Sequence, residues 1–129
     1  MISDFIQEIE EAISSSSIVI SSDIQKYFSA SKKEAYIRGS LHFVDLSSLD
    51  FALYILEKGN KLIFDKYRFQ YMDHRKRLIF RSDNAQHYKD ISTFPYHKHL
   101  HNNRVVDSAI PEFNEILEEI TALIAKSTS

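Results

Sequence analysis

Small and apolar residues recur at every second position across the middle of this chain. Ala35, Ile37, Gly39, Leu41 and Phe43 form one such series, Leu49, Phe51, Leu53 and Ile55 a second, and Tyr67, Phe69 and Tyr71 a third. Leu78 and Phe80 continue the pattern. Successive side chains of an extended strand point to opposite faces, so this spacing predicts strands buried on one face. Ser29–Lys33, Leu46–Ser48, Lys58-Gly59-Asn60 and a charged turn after Met72 separate them. Strands joined by such short turns pair antiparallel. The spacing predicts strands over 18–28, 34–45, 49–57, 61–72 and 77–82, an up-and-down meander of about five strands.

A sheet with one apolar face needs a cover, and the two ends of the chain supply it. Ile2, Phe5, Ile6, Ile9 and Ile13 fall at helical spacing with Glu8, Glu10 and Glu11 facing away, predicting a helix from Ser3 to about Ile13. Pro111 suits the first position of a second helix, whose stripe is Phe113, Ile116, Leu117, Ile120, Leu123 and Ile124. Residues 125–129 are expected to fray. From Asp83 to about Asp107, Asn84, Pro95 and Asn102-Asn103 predict an irregular loop folded over the sheet. The expected fold class is α+β, an antiparallel meander with the N- and C-terminal helices packed on one face. At 129 residues, with 43% apolar content, residues 1–129 read as a single domain with a real core.

Composition narrows the chemistry. The chain has no cysteine, which excludes disulfides, thiolate metal sites and cysteine nucleophiles. A net charge of −2 argues against a nucleic-acid binder that uses its whole surface, and it permits a local basic face. The N-terminus lacks a signal-peptide pattern, and no apolar run approaches the roughly 20 residues of a membrane span. A soluble, cytoplasmic protein is expected.

Histidine, arginine and aspartate concentrate between Tyr67 and His99. A hairpin loop centred between His74 and Arg75 predicts Tyr71 opposite Leu78, Phe69 opposite Phe80 and Tyr67 opposite Ser82, an aromatic face turned to the core. The other face then sets Arg68 directly across from Arg81, a like-charge pair that costs a few tenths of a kcal/mol to about one. An anion or a carboxylate bridging the two guanidiniums relieves that cost, and Asp83 shares the face. A solvated basic face with the arginines fanned apart fits the same pattern.

His97 and His99 are spaced by two, with Lys98 between them and His87 ten residues before His97. Three readings fit them. In the first, two histidines act as acid and base in phosphodiester cleavage while Arg68, Arg81 and Lys98 stabilise the phosphorane. In the second, His87, His97, His99 and Asp83 hold a divalent metal. In the third, they are polar loop residues without chemistry. Asn84 contacts the ligand in the first reading, or simply turns the chain after Asp83.

The same stretch carries a family resemblance. Tyr67-Arg68-Phe69, Tyr71, Asp73, Leu78-Ile79-Phe80-Arg81, Asp83-Asn84-Ala85, His87, Thr93-Phe94-Pro95 and His97-Lys98-His99 resemble the motifs of the TumE family of small toxins from toxin–antitoxin pairs. Gln86 stands where that family has proline, and Tyr88 and Tyr96 stand where it often has histidine, so those positions are not essential acids or bases here. The resemblance implies a toxin acting on RNA and a partner antitoxin with a helix-turn-helix domain. The resulting expectation is a ribonuclease needing no metal and no cofactor, with His87, His97, His99 and Asp83 catalytic and Arg68, Arg81, Lys98 and Asn84 contacting phosphate. A non-catalytic nucleic-acid or protein binding module and a metal-dependent nuclease are the alternatives, and a homo-oligomer is compatible with either.

Overall fold

The structure is a computed structural model describing residues 1–84, 97–100, 105–107 and 112–128. Helix α1 (Ile2–Ser15) leads into strands β1 (Val19–Phe28), β2 (Glu34–Phe43), β3 (Ser48–Lys58), β4 (Lys61–Met72) and β5 (Leu78–Asp83). Strands β6 (His97–Leu100) and β7 (Val105–Asp107) follow, then helix α2 (Phe113–Thr128). All strands lie in one antiparallel sheet in sequence order, β1 to β7. The expected meander of five strands is therefore present and continues through two more. No described helix is long and apolar enough to cross a membrane.

Both helices cover the same sheet face. Ile2, Ile6, Ile9 and Ile13 of α1 and Phe113, Ile116, Leu117, Ile120 and Ile124 of α2 are buried against the alternating residues of β2 to β5. Phe113 meets Phe51 edge-on at 5.2 Å, and Phe5 meets Phe64 at 5.2 Å, which ties each helix to a strand by an aromatic pair. Gly39 sits opposite Phe51, whose ring would lie 2.7 Å from any added Cβ. The glycine thus lets an aromatic ring rest on the strand backbone. Tyr71 is buried and donates to Ser47 Oγ at 2.8 Å, and Ser47 in turn donates to Asp45. Burial pushes the Tyr71 phenol above its ordinary pKa.

The β4–β5 hairpin departs from the expected register by two residues. Tyr71 faces Phe80, Phe69 faces Ser82, Gln70 faces Arg81 and Arg68 faces Asp83. One residue of the shift comes from the turn. Asp73 N donates to Arg77 O at 2.9 Å and Lys76 N to Asp73 O at 2.9 Å, with Lys76 at φ 64°, so the loop is the three residues His74–Lys76 and centres on Arg75. The other comes from a bulge that leaves Ile79 unpaired between the Met72–Leu78 and Tyr71–Phe80 pairs. From Phe80 to Asp83 the shift of two keeps each side chain on its expected face, whereas Leu78 pairs with Met72 instead of Tyr71 and it is Ile79 that packs against the core. The shift removes the Arg68–Arg81 repulsion, because each arginine now faces an acceptor instead.

Asp73 secures this turn. Its carboxylate accepts from Arg77 N at 3.0 Å and Arg75 N at 2.8 Å, and pairs with the Arg77 guanidinium at 3.0 Å. The backbone hydrogen bond from Arg77 leads in holding its pKa below the ordinary 3.8, helped by the Arg75 bond and the Arg77 side chain against a smaller opposing effect of burial. Asp73 therefore stabilises the fold above pH 3.8 and loses that contribution as pH falls through its lower folded-state value. Asp73→Asn is expected to lower stability near neutral pH and to shrink the gap in urea midpoint between about pH 6 and about pH 3. An unchanged gap would contradict this role.

Two further expectations need correction. The segment after Asp83 is not irregular throughout, since β6 and β7 extend the sheet. An open β5 edge offers unpaired backbone groups, and pairing them outweighs the loop signals of the flanking Pro and Asn residues. The C-terminal helix also does not fray at Ala125 but runs to Thr128, with Ser127 Oγ bonded to Ile124 O at 3.0 Å. Pro111, His87 and the Phe94-Pro95 pair lie outside the described residues, and so does the expected path of the loop over the sheet.

Candidate functional site

The face away from the helices is polar, and its chemistry gathers where β4, β5 and β6 run side by side. Alternation along each strand sets two rows. One crosses Gln70, Arg81 and His99, and the next crosses Arg68, Asp83 and His97 in register. His97 also stands opposite Asp107 of β7.

Arg81, Asp83 and His99 form a compact cluster. Arg81 Nε lies 3.2 Å from Asp83 Oδ2, His99 Nε2 lies 3.7 Å from the same oxygen, and Arg81 Nη2 lies 3.3 Å from His99 Nε2. Asp83 is 6% exposed and His99 7%, so carboxylate and imidazole are held out of water. Burying a carboxylate is costly unless it is paired, and Arg81 supplies the countercharge. The Arg81 Nε–H makes no hydrogen bond among the described residues, so its contact with Asp83 is charge to charge.

The geometry suits two protonation states of His99. A guanidinium can only donate, so the Arg81 contact is made when His99 Nε2 is an unprotonated acceptor. The Asp83 carboxylate lies 3.7 Å from the same nitrogen, beyond hydrogen-bond distance, and would offset the charge of a doubly protonated ring.

The structure sorts the other sequence candidates. Arg68 is exposed on the same face, directly across from Asp83. Lys98 points to the helix side, where it pairs with Glu119 at 2.6 Å and lies 4.6 Å over the Phe80 ring. Asn84 continues the β4–β5 ladder: its Oδ1 accepts from Tyr67 N at 3.0 Å and its Nδ2 donates to Asp65 O at 2.9 Å. Both residues thus have structural partners. His97 is known by register alone, and His87 lies outside the described residues. Among the described residues, no three His, Asp or Glu side chains gather closely enough to hold a metal ion. Gln70 stands opposite Arg81, a register set jointly by the Asp73–Arg77 turn and the bulge at Ile79.

A family model described as toxin TumE matches residues 4–126. No curated protein and no solved structure matches the chain. The match takes in every strand of the sheet and nearly all of both helices, beyond the motif stretch that first carried the likeness. The chain belongs to the TumE toxin family, the toxin side of a toxin–antitoxin pair, and that membership implies an antitoxin partner.

Proposed function

We propose that this toxin is a metal-independent endoribonuclease that cleaves RNA at the Arg81–Asp83–His99 cluster. The observation that carries the reading is a buried imidazole held beside a guanidinium and a buried carboxylate. The Arg81 side chain is 31% exposed, and arginine's planar fork binds phosphate well. In the proposed reaction one imidazole removes the 2′-hydroxyl proton and the 2′-oxygen attacks phosphorus. The 5′-oxygen leaves with a proton from a second imidazole, and a 2′,3′-cyclic phosphate remains. His99 is the proposed first or second imidazole, and His97 or His87 the other. Asp83 balances the charged state of His99, while Arg81 and Arg68 stabilise the phosphorane. The proposed antitoxin, with a helix-turn-helix domain, is encoded beside the toxin.

Replacement of histidine by Tyr88 and Tyr96 favours a second reading, in which the same face holds RNA without cleaving it. Induction of the chain alone is expected to arrest growth and shorten bulk RNA, and co-induction with the antitoxin to restore both. Chelation is expected to leave cleavage by the purified protein unchanged. Loss on chelation with recovery on adding a divalent cation would move the assignment to a metal-dependent nuclease. Growth arrest with intact RNA would favour the binding reading.

A further inference from the structure

The outer sheet face does not end at the cluster. Towards β1 it carries three bands, set by register across the strands. Asp23, Ser40 and Asp50 form one, Gln25, Arg38, Ala52 and Arg68 the next, and Tyr27, Tyr36 and Tyr54 the third, which ends at Lys66. The middle band runs straight into Asp83. Tyr27 is 55% exposed and Tyr36 36%, with ring centroids 6.2 Å apart and only 31° between ring planes. Tyr54 lies beside them on β3, and its hydroxyl donates to Glu34 at 3.1 Å.

Exposed aromatic rings laid side by side leave apolar area in water, which a partner with flat apolar faces relieves. Arg38 and Arg68 are exposed and make no ion pair among the described residues. Small Ala52 between them opens a notch flanked by two guanidiniums, with Asp23 and Asp50 along its other side. Cations beside aromatic rings form the pattern on which single strands stack their bases and lay their phosphates. Asp23 and Asp50 line the side of this notch away from the tyrosines and oppose a second strand. Asp50 keeps its place there by accepting from Ser40 at 2.8 Å.

We propose that this face is a platform for single-stranded RNA, with bases stacked on Tyr27, Tyr36 and Tyr54 and phosphates on Arg38 and Arg68, leading the strand to the Arg81–Asp83–His99 cluster. The proposal rests on the ribonuclease reading and names its substrate as unpaired RNA. Adjacent strands lie about 4.8 Å apart, so the path from β1 to β5 is about 19 Å and takes several nucleotides.

The test uses the full chain and a fluorescent 2′-O-methyl octanucleotide, which cannot be cleaved because its 2′-oxygen is blocked. Fluorescence anisotropy should show the single strand binding at least about tenfold more tightly than the same sequence in a duplex. The double variant Tyr27→Ala/Tyr36→Ala should weaken single-strand binding by about tenfold or more, and Tyr27→Phe/Tyr36→Phe should retain it. Arg38→Ala should lower the salt dependence of binding by about one phosphate contact. Equal affinity for the duplex, an unchanged double alanine variant, or no binding by the wild type would overturn the platform. So would loss of antitoxin binding by the double alanine variant with RNA affinity intact, which would make the face a protein surface. Cleavage of an unmodified dinucleotide by the wild type is scored separately. If the dinucleotide is cut but the tyrosines do not matter, the platform fails and the ribonuclease reading stands. If octanucleotide binding depends on the tyrosines but no RNA is cut, the ribonuclease reading fails and the platform stands.

Discussion

Phe69→Ala is expected to cost roughly 3–5 kcal/mol of folding stability, the usual loss when a buried phenylalanine is truncated. Phe69 is 2% exposed, at the centre of an aromatic group that joins sheet to helix. Its ring stacks on Phe51 at 6.2 Å, and it meets Phe113 of α2 and Tyr67 of its own strand at the same centroid distance. Truncation leaves a cavity that these three rings cannot close without leaving their present contacts. Against a total stability of about 5–15 kcal/mol, such a loss is large. It corresponds to a fall in melting temperature on the order of 10–20 °C for a chain of this size. Phe28→Ala, at an edge-strand position 44% exposed, should change stability by no more than about 0.5 kcal/mol. A loss below about 1 kcal/mol at Phe69 would mean that the buried face has been misidentified.

His99→Ala is expected to lower RNA cleavage by about 10²- to 10⁴-fold, the range that general acid–base groups supply. Arg81→Lys should cost less for the fold than Arg81→Ala. It keeps a cation beside Asp83 and loses the planar fork, so the expected loss of cleavage is about 10²-fold or more with a folded protein. Arg81→Ala leaves Asp83, 6% exposed, without its close countercharge, and is expected to lower the melting temperature. Removing Arg81 relieves no repulsion from Arg68, because Arg81 faces Gln70 and Arg68 faces Asp83. Full cleavage by folded His99→Ala would remove this residue from the mechanism.

Much of the fold was legible because a period of two leaves little freedom. Ala35, Ile37, Leu41, Leu49, Phe51 and Phe69 are all buried on the face that alternation assigns them. The hairpin register was not legible in the same way. Leu46 and Lys76 adopt positive φ without being glycine or asparagine, so the usual composition signal of a three-residue loop is missing from both turns. The bulge at Ile79 has no signature of its own, because an isoleucine fits a paired position equally well. The site was partly legible. Arg81, Asp83 and His99 were all singled out by residue type, and strand pairing brings them together. Lys98 was grouped with them, although alternation within His97–Leu100 sends it to the other face, where Glu119 waits. Reading that segment as loop hid the alternation. The tyrosine band escaped notice because Tyr27, Tyr36 and Tyr54 lie far apart in sequence and meet only through the register of three strands.

The most direct measurement is product analysis on single-stranded RNA, with purified wild-type toxin and His99→Gln run side by side in the presence of a chelator. The account predicts fragments ending in 2′,3′-cyclic phosphate from the wild type and a loss of about 10²-fold or more in the variant at unchanged melting temperature. Intact RNA with the wild type, or equal cleavage by the variant, would contradict it.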